Sequence, residues 1–182
     1  MSKHFSLSYL KPNSVTLFIV PASRYININN KILKHFINKL KFFCIYVSVS
    51  RSAVEIEKIL KKASIQTKNI FYIDAISRSP IGIQRIGNAI LLENPKDLTH
   101  ISIALSKAVS SSPGNKRTLI FVDSLSTLVI YNGIDTVTKF MHYLINQSKR
   151  WGVSGAFISV EEEANTALLS KLENLVDHYI KV

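Results

Sequence analysis

At 182 residues the chain is long enough for one compact unit that buries roughly two-thirds of the surface its unfolded form exposes. A 47% hydrophobic and 19% charged composition is that of an ordinary soluble globular protein; the lone Cys44 excludes an internal disulfide framework, and no apolar run reaches the roughly 18 residues of a membrane span. The net charge of +11 is lopsided, because residues 1–68 hold twelve Lys and Arg against Glu55 and Glu57 (net +10), while residues 69–182 hold eleven against ten.

The polar start Met1-Ser-Lys-His-Phe5 has no signal-peptide core, so a cytoplasmic location and no membrane partner are expected, with residues 1–12 as a loose extension of a single domain over 1–182. Val15–Val20 is an apolar strand. A turn over about 21–30 then leads to a helix over about 31–41, with Ile32, Leu33, Phe36, Ile37 and Leu40 on one face. Residues 43–49 form a second strand in which Cys44 is a buried packing residue. Ser52 and Glu55 have the spacing of a capping box and open a helix carrying Val54, Ile56, Ile59, Leu60 and Ala63.

Asn69–Asp74 is a third strand and Ala89–Glu93 a short extra one. Asp97 caps a helix to about Ser110, which Pro113-Gly114 ends. Thr118–Asp123 reads as a buried strand, four apolar residues closed by Asp. Asp135 caps the next helix, with Val137, Phe140, Met141, Leu144 and Ile145 inward and Gly152 as its stop. Ser154–Val160 is another strand. Glu161-Glu-Glu163 caps a helix bearing Leu168, Leu169, Leu172 and Leu175, and an edge strand closes the chain over 177–182. Short apolar strands alternating with amphipathic helices predict an α/β fold, three αβα layers on a mainly parallel sheet, with any ligand at the carboxyl ends of the strands.

A phosphate-binding loop requires G-x-x-x-x-G-K-[ST] after the first strand. On residues 21–28 that template places Pro21 and Ile26 at the glycines, Asn27 at the lysine and Ile28 at the hydroxyl. Proline offers no N–H, a β-branched residue resists φ > 0, and the first glycine of the chain is Gly82. Gly82-Ile-Gln-Arg-Ile-Gly87 has the glycine spacing but is followed by Asn88-Ala89, and reads as a flexible loop. Leu119-Ile-Phe-Val-Asp-Ser124, in contrast, has the form of a Walker B strand, whose carboxylate holds the magnesium of a bound nucleotide.

Phe121–Gly133, the strand and helix order after it, and Asn69–Ala75 with its following loop resemble RecA-superfamily proteins, especially the archaeal KaiC-like group. The resemblance implies a RecA-like P-loop NTPase core, here without a functional P-loop, that binds ATP and assembles through subunit faces. Only Asp123 and Ser124 match nucleotide-site positions, and the pair of adjacent catalytic glutamates of KaiC-like ATPases is replaced by Val49-Ser50-Arg51-Ser52. Without cradle or base little phosphoryl-transfer chemistry remains, so Asp123 and Ser124 read as vestigial, with no catalytic residue and neither ATP nor magnesium as a resident cofactor.

Asp74, Asp123 and Glu161 all fall at the carboxyl edge; carboxylates are common there, and no metal is assigned. The five histidines are scattered at spacings that suit no metal. The expectation is a degenerate, non-hydrolysing pseudo-ATPase acting as a regulatory or scaffolding module, with a related RecA/KaiC-like ATPase, another protein or a second copy as partner. Two alternatives stand beside it. One is a nucleic-acid-binding protein using Arg24, Lys31, Lys34, Arg51, Lys58, Lys61 and Lys62 of the basic third. The other is an ATP site completed by a partner subunit.

Overall fold

A computed structural model describes Leu7, residues 11–77 and residues 84–182, so most of the expected extension 1–12 and Gly82 lie outside the described residues. In chain order the elements are β1 Val15–Val20, α1 Tyr25–Leu33, β2 Phe43–Ser48, α2 Ala53–Lys62, β3 Ile70–Asp74, β4 Gln84–Ile86, β5 Ala89–Leu91 and α3 Leu98–Ser110. There follow β6 Thr118–Val122, α4 Leu125–Asn132, α5 Ile134–Trp151, β7 Ser154–Val160, α6 Thr166–Glu173 and β8 His178–Lys181. They build one eight-stranded sheet in the order β4-β5-β3-β2-β6-β7-β1-β8. Seven strands run parallel, and only β4 is antiparallel, folded back on β5. The three-layer α/β class expected from the strand–helix alternation is the class observed.

Burial on both faces explains why the central strands are almost uniformly apolar. Alternate residues of each strand enter two separate cores. Phe18, Tyr46 and Phe121 pack under Ile28, Ile32, Phe36, Ile56 and Leu60 of α1 and α2. Leu17, Ile45, Val47, Ile120 and Val122 pack under α3, α4, α5 and α6 through Leu105, Leu128, Met141, Leu144 and Leu168. Cys44 lies fully buried in the first core, and burial pushes its thiol up, away from thiolate chemistry.

Five expectations are corrected. The helix expected from 31 begins much earlier, since Ala22–Arg24 form a 3₁₀ turn straight after Pro21 and α1 starts at Tyr25. The run Ile26-Asn-Ile-Asn-Asn30 has weak helix propensity, but Ile28 and Ile32 stand at i, i+4 and both are buried, so packing overrides propensity. The helix continues as wide π turns over Lys34–Lys39. Residues 125–132 form α4, capped by Ser124, where no helix was foreseen.

Asp135 lies inside the first turn of α5, whose cap position is Gly133 at φ +76. Glu161–Glu163 form their own 3₁₀ turn, and α6 is capped instead by Asn165, which accepts the Leu168 N–H at 3.1 Å. Within the expected 82–87 loop, Gln84–Ile86 pair with β5 across a Gly87-Asn88 turn with Gly87 at φ +56. The Ser52–Glu55 capping box and the Gly152 stop are present as the spacing implied.

Candidate functional site

Strands β2 and β6 lie side by side, with Val47 opposite Val122. The helix after β2 packs on one face of the sheet and the helix after β6 on the other. Such a divergence opens a crevice at the carboxyl ends of the two strands, the place where open α/β sheets take ligands. Asp123 sits in it with no solvent exposure. Its Oδ1 accepts the Val49 N–H at 3.1 Å and its Oδ2 the Ser50 hydroxyl at 2.7 Å. Burial pushes the carboxyl up to about 6, and the Ser50 and Val49 bonds and the Arg51 charge pull it back only in part.

From across the crevice the Tyr25 hydroxyl donates to the Asp123 backbone carbonyl at 2.7 Å. Burial pushes the Tyr25 phenol up, and the Asp123 charge adds to that. What space remains is about 30 Å³, lined by Tyr25, Asn29, Tyr46, Ser50, Arg51 and Asp123. Asn29 Oδ1 is buried there without a hydrogen-bond partner. Small-molecule pockets run from about 300 Å³ upward, so this crevice falls short by a factor of about ten. A larger cavity, about 720 Å³, lies elsewhere, with Phe43, Phe71 and Pro113 in its walls.

Strand β1 ends two positions away, beyond β7. Pro21 (φ −67, ψ 142) turns the chain directly into the 3₁₀ start of the helix, leaving no loop to wrap an anion. The free N–H groups of a helix amino end attract anions. Here the Ala22 N–H donates to Glu162 Oε2 at 2.8 Å, so a carboxylate of the chain itself takes that position. Parallel pairing of β1 with β7 carries Glu162 there, because the residues after Val160 emerge beside those after Val20. Of the two side chains that could fill this turn, Tyr25 does and Ile26 remains 41% exposed.

The other expected residues separate into distinct places. The Ser124 hydroxyl accepts the Thr127 N–H at 3.1 Å and so is engaged as the cap of α4. Asp74 is buried at the end of β3 and accepts from Ala53 N–H (2.8 Å), Ile76 N–H (2.8 Å), Ser77 N–H (2.9 Å) and the Ser77 hydroxyl (2.6 Å). Glu161 pairs with Lys181. The three strand-end carboxylates are thus each engaged separately, and no metal-ligating group of three assembles among the described residues. Arg51 lies exposed at the crevice rim, whereas Arg24, Lys31 and Lys34 line a groove along α1. Lys58, Lys61 and Lys62 are exposed on α2, and Lys61 pairs with Glu57 at 2.9 Å.

Sequence reasoning placed Tyr25 at this turn but missed Ser50 and Glu162. A Ser after a strand carries no signal by itself. Glu162 becomes visible only once β7 is placed against β1.

Residues 64–182 match the model of a family of unknown function, DUF7504. No curated protein matches the chain. Among solved structures, a KaiC-like protein from the hyperthermophilic archaeon Pyrococcus horikoshii OT3 is similar with a TM-score of 0.66, over 94% of this chain and 72% of that one. The identity is 8%, so the likeness is one of fold: the chain has a RecA/KaiC-like architecture.

Proposed function

The chain belongs to DUF7504, a family of unknown function, and on that footing we propose that it is a RecA/KaiC-like domain that neither holds nor hydrolyses nucleotide and serves as a regulatory or scaffolding module. Its partner is another protein chain, a related KaiC-like ATPase or a second copy. The observation that carries this reading is the crevice of about 30 Å³ at Asp123. A triphosphate has no room there.

Three further features support it. Pro21 offers no N–H where a phosphate cradle needs one. The Ala22 N–H already holds the Glu162 carboxylate, which would repel a phosphate approaching the helix end. No carboxylate stands at Val49–Ser52 to activate water, and Ser50 is bonded to Asp123. Phosphoryl transfer is catalysed by positioning and charge stabilisation, and this edge of the sheet supplies neither.

Isothermal titration with Mg-ATP at neutral pH is the test. No heat beyond dilution is expected at millimolar nucleotide. Micromolar binding with turnover would overturn the proposal. So would turnover that appears only after mixing with a KaiC-like ATPase, since it would mean a site completed by the partner.

A further inference from the structure

The two helical layers differ sharply in charge. No acidic residue occurs in residues 1–54, which include β1, α1 and β2, and α2 adds Glu55 and Glu57. Glu55 is consumed by the capping box and Glu57 by its pair with Lys61. Along α1 runs a groove of about 360 Å³ lined by Arg24, Asn27, Asn30, Lys31, Lys34 and Ala63. Its three cations are exposed, and none takes part in an ion pair among the described residues.

From this concave, acid-free stripe we infer a binding site for the phosphodiester backbone of a nucleic acid. Arg24, Asn27, Lys31 and Lys34 follow one another at spacings of three, four and three, which keeps them on one helical face. Ten residues of helix span about 15 Å, the axial run of about four phosphates on one duplex strand. Lys31 and Lys34 stand at i, i+3, a like-charge spacing that weakens a helix and that a bound phosphate would relieve. Asn27 and Asn30 place amide donors between the cations, suited to phosphate oxygens.

Of the aromatic side chains that could stack on bases, Phe36 is buried in the core and Tyr25 is turned into the Asp123 crevice, so contact is with the backbone and carries no sequence preference. The groove is independent of the nucleotide reading, because its cations lie outside the Asp123 crevice; only Asn30 borders both.

Fluorescence anisotropy with a labelled duplex of about 20 base pairs, across a KCl series, tests the site; about three neutralised phosphates predict a log–log slope near −3. Substituting Arg24→Ala, Lys31→Ala and Lys34→Ala together is expected to flatten that slope by about 2 to 3 and weaken binding at least about tenfold at ~50 mM salt. All three side chains are exposed, and circular dichroism checks that the fold persists. A control with Lys107→Ala, Lys139→Ala and Arg150→Ala in the opposite layer is expected to leave binding unchanged. No binding at the lowest salt, an equal loss in the control, or binding to phosphatidylserine vesicles without binding to the duplex would each overturn the inference.

Discussion

Asp74 and Asp123 are the same residue type in the same kind of place. Each follows the apolar stretch of a parallel strand, β3 or β6, on either side of β2, and each is buried to within 1%. They differ in what converges on them. Asp74 receives four donors, three of them backbone N–H groups, one from the first residue of α2 and two from the loop that follows β3. It ties a helix amino end to a strand end, as a carboxylate at the positive end of a helix dipole should. Asp123 draws on the Val49 and Ser50 backbone and the Ser50 hydroxyl, but burial outweighs these bonds and its carboxyl is pushed up to about 6. A buried carboxylate is sustained by the donors around it, so one of these charges is well supported and the other is held at a cost.

The same substitution should therefore act in opposite directions at the two sites. Asp74→Asn turns an acceptor oxygen into an NH2 group facing N–H or O–H donors, whichever way the amide lies. A loss of about 2–3 kcal/mol is expected, with a matching fall in the urea midpoint. A loss below about 0.5 kcal/mol would mean that the four bonds do not make Asp74 an anchor.

Asp123→Asn keeps an oxygen for the Val49 N–H, and its NH2 can donate to the Ser50 oxygen once that hydroxyl turns. It also removes a buried charge that forms no ion pair among the described residues and feels only the exposed Arg51. For a carboxyl whose folded value, about 6, exceeds the unfolded value of about 3.9, the folded state binds more protons in between, so stability falls as pH rises. The contribution is full below about pH 4 and lost through pH 6, with an upper size of about 3 kcal/mol. Relative to Asp123→Asn, the parent protein should lose stability across that window, and the variant should be the more stable at pH 7.5. Denaturation curves at pH 4 and 7.5 check it, and a difference that stays flat between them would show the carboxylate to be compensated.

The fold was readable because its signals are local and repeated. Apolar runs such as Val15–Val20 and Leu119–Val122, the Ser52–Glu55 box and Gly152 each specify an element without reference to any other. The errors fall where tertiary contact decides. Tyr25–Asn30 has poor helix propensity and is helical because Ile28 and Ile32 are buried. Residues 125–132, mean-apolar without a clear stripe, form α4 because Leu125 and Leu128 are buried against the sheet and Ser126 bonds the Val160 N–H. At the candidate site the position of Asp123 was legible from its strand, and so was the lack of an N–H at Pro21. Ser50 and Glu162 were not, for each reaches the site through a strand pairing that no spacing encodes.

The smallest effect tests how the crevice is kept closed. Tyr25 of α1 bonds directly to the β6 end, through the Asp123 carbonyl at 2.7 Å. Tyr25→Phe keeps the ring that fills the space and removes only the hydroxyl. A single neutral hydrogen bond of this kind contributes about 1 kcal/mol, so a loss of that order is expected, smaller than at Asp74. Tyr25→Ala removes the filler as well, and should cost more while enlarging the crevice toward Asn29 and Asp123. If Tyr25→Phe were as damaging as Tyr25→Ala, the hydroxyl and not the ring would be what holds the two strand ends closed. If Tyr25→Ala acquired Mg-ATP binding, the filling of the crevice by this one side chain, rather than Pro21 and Glu162, would be what excludes nucleotide.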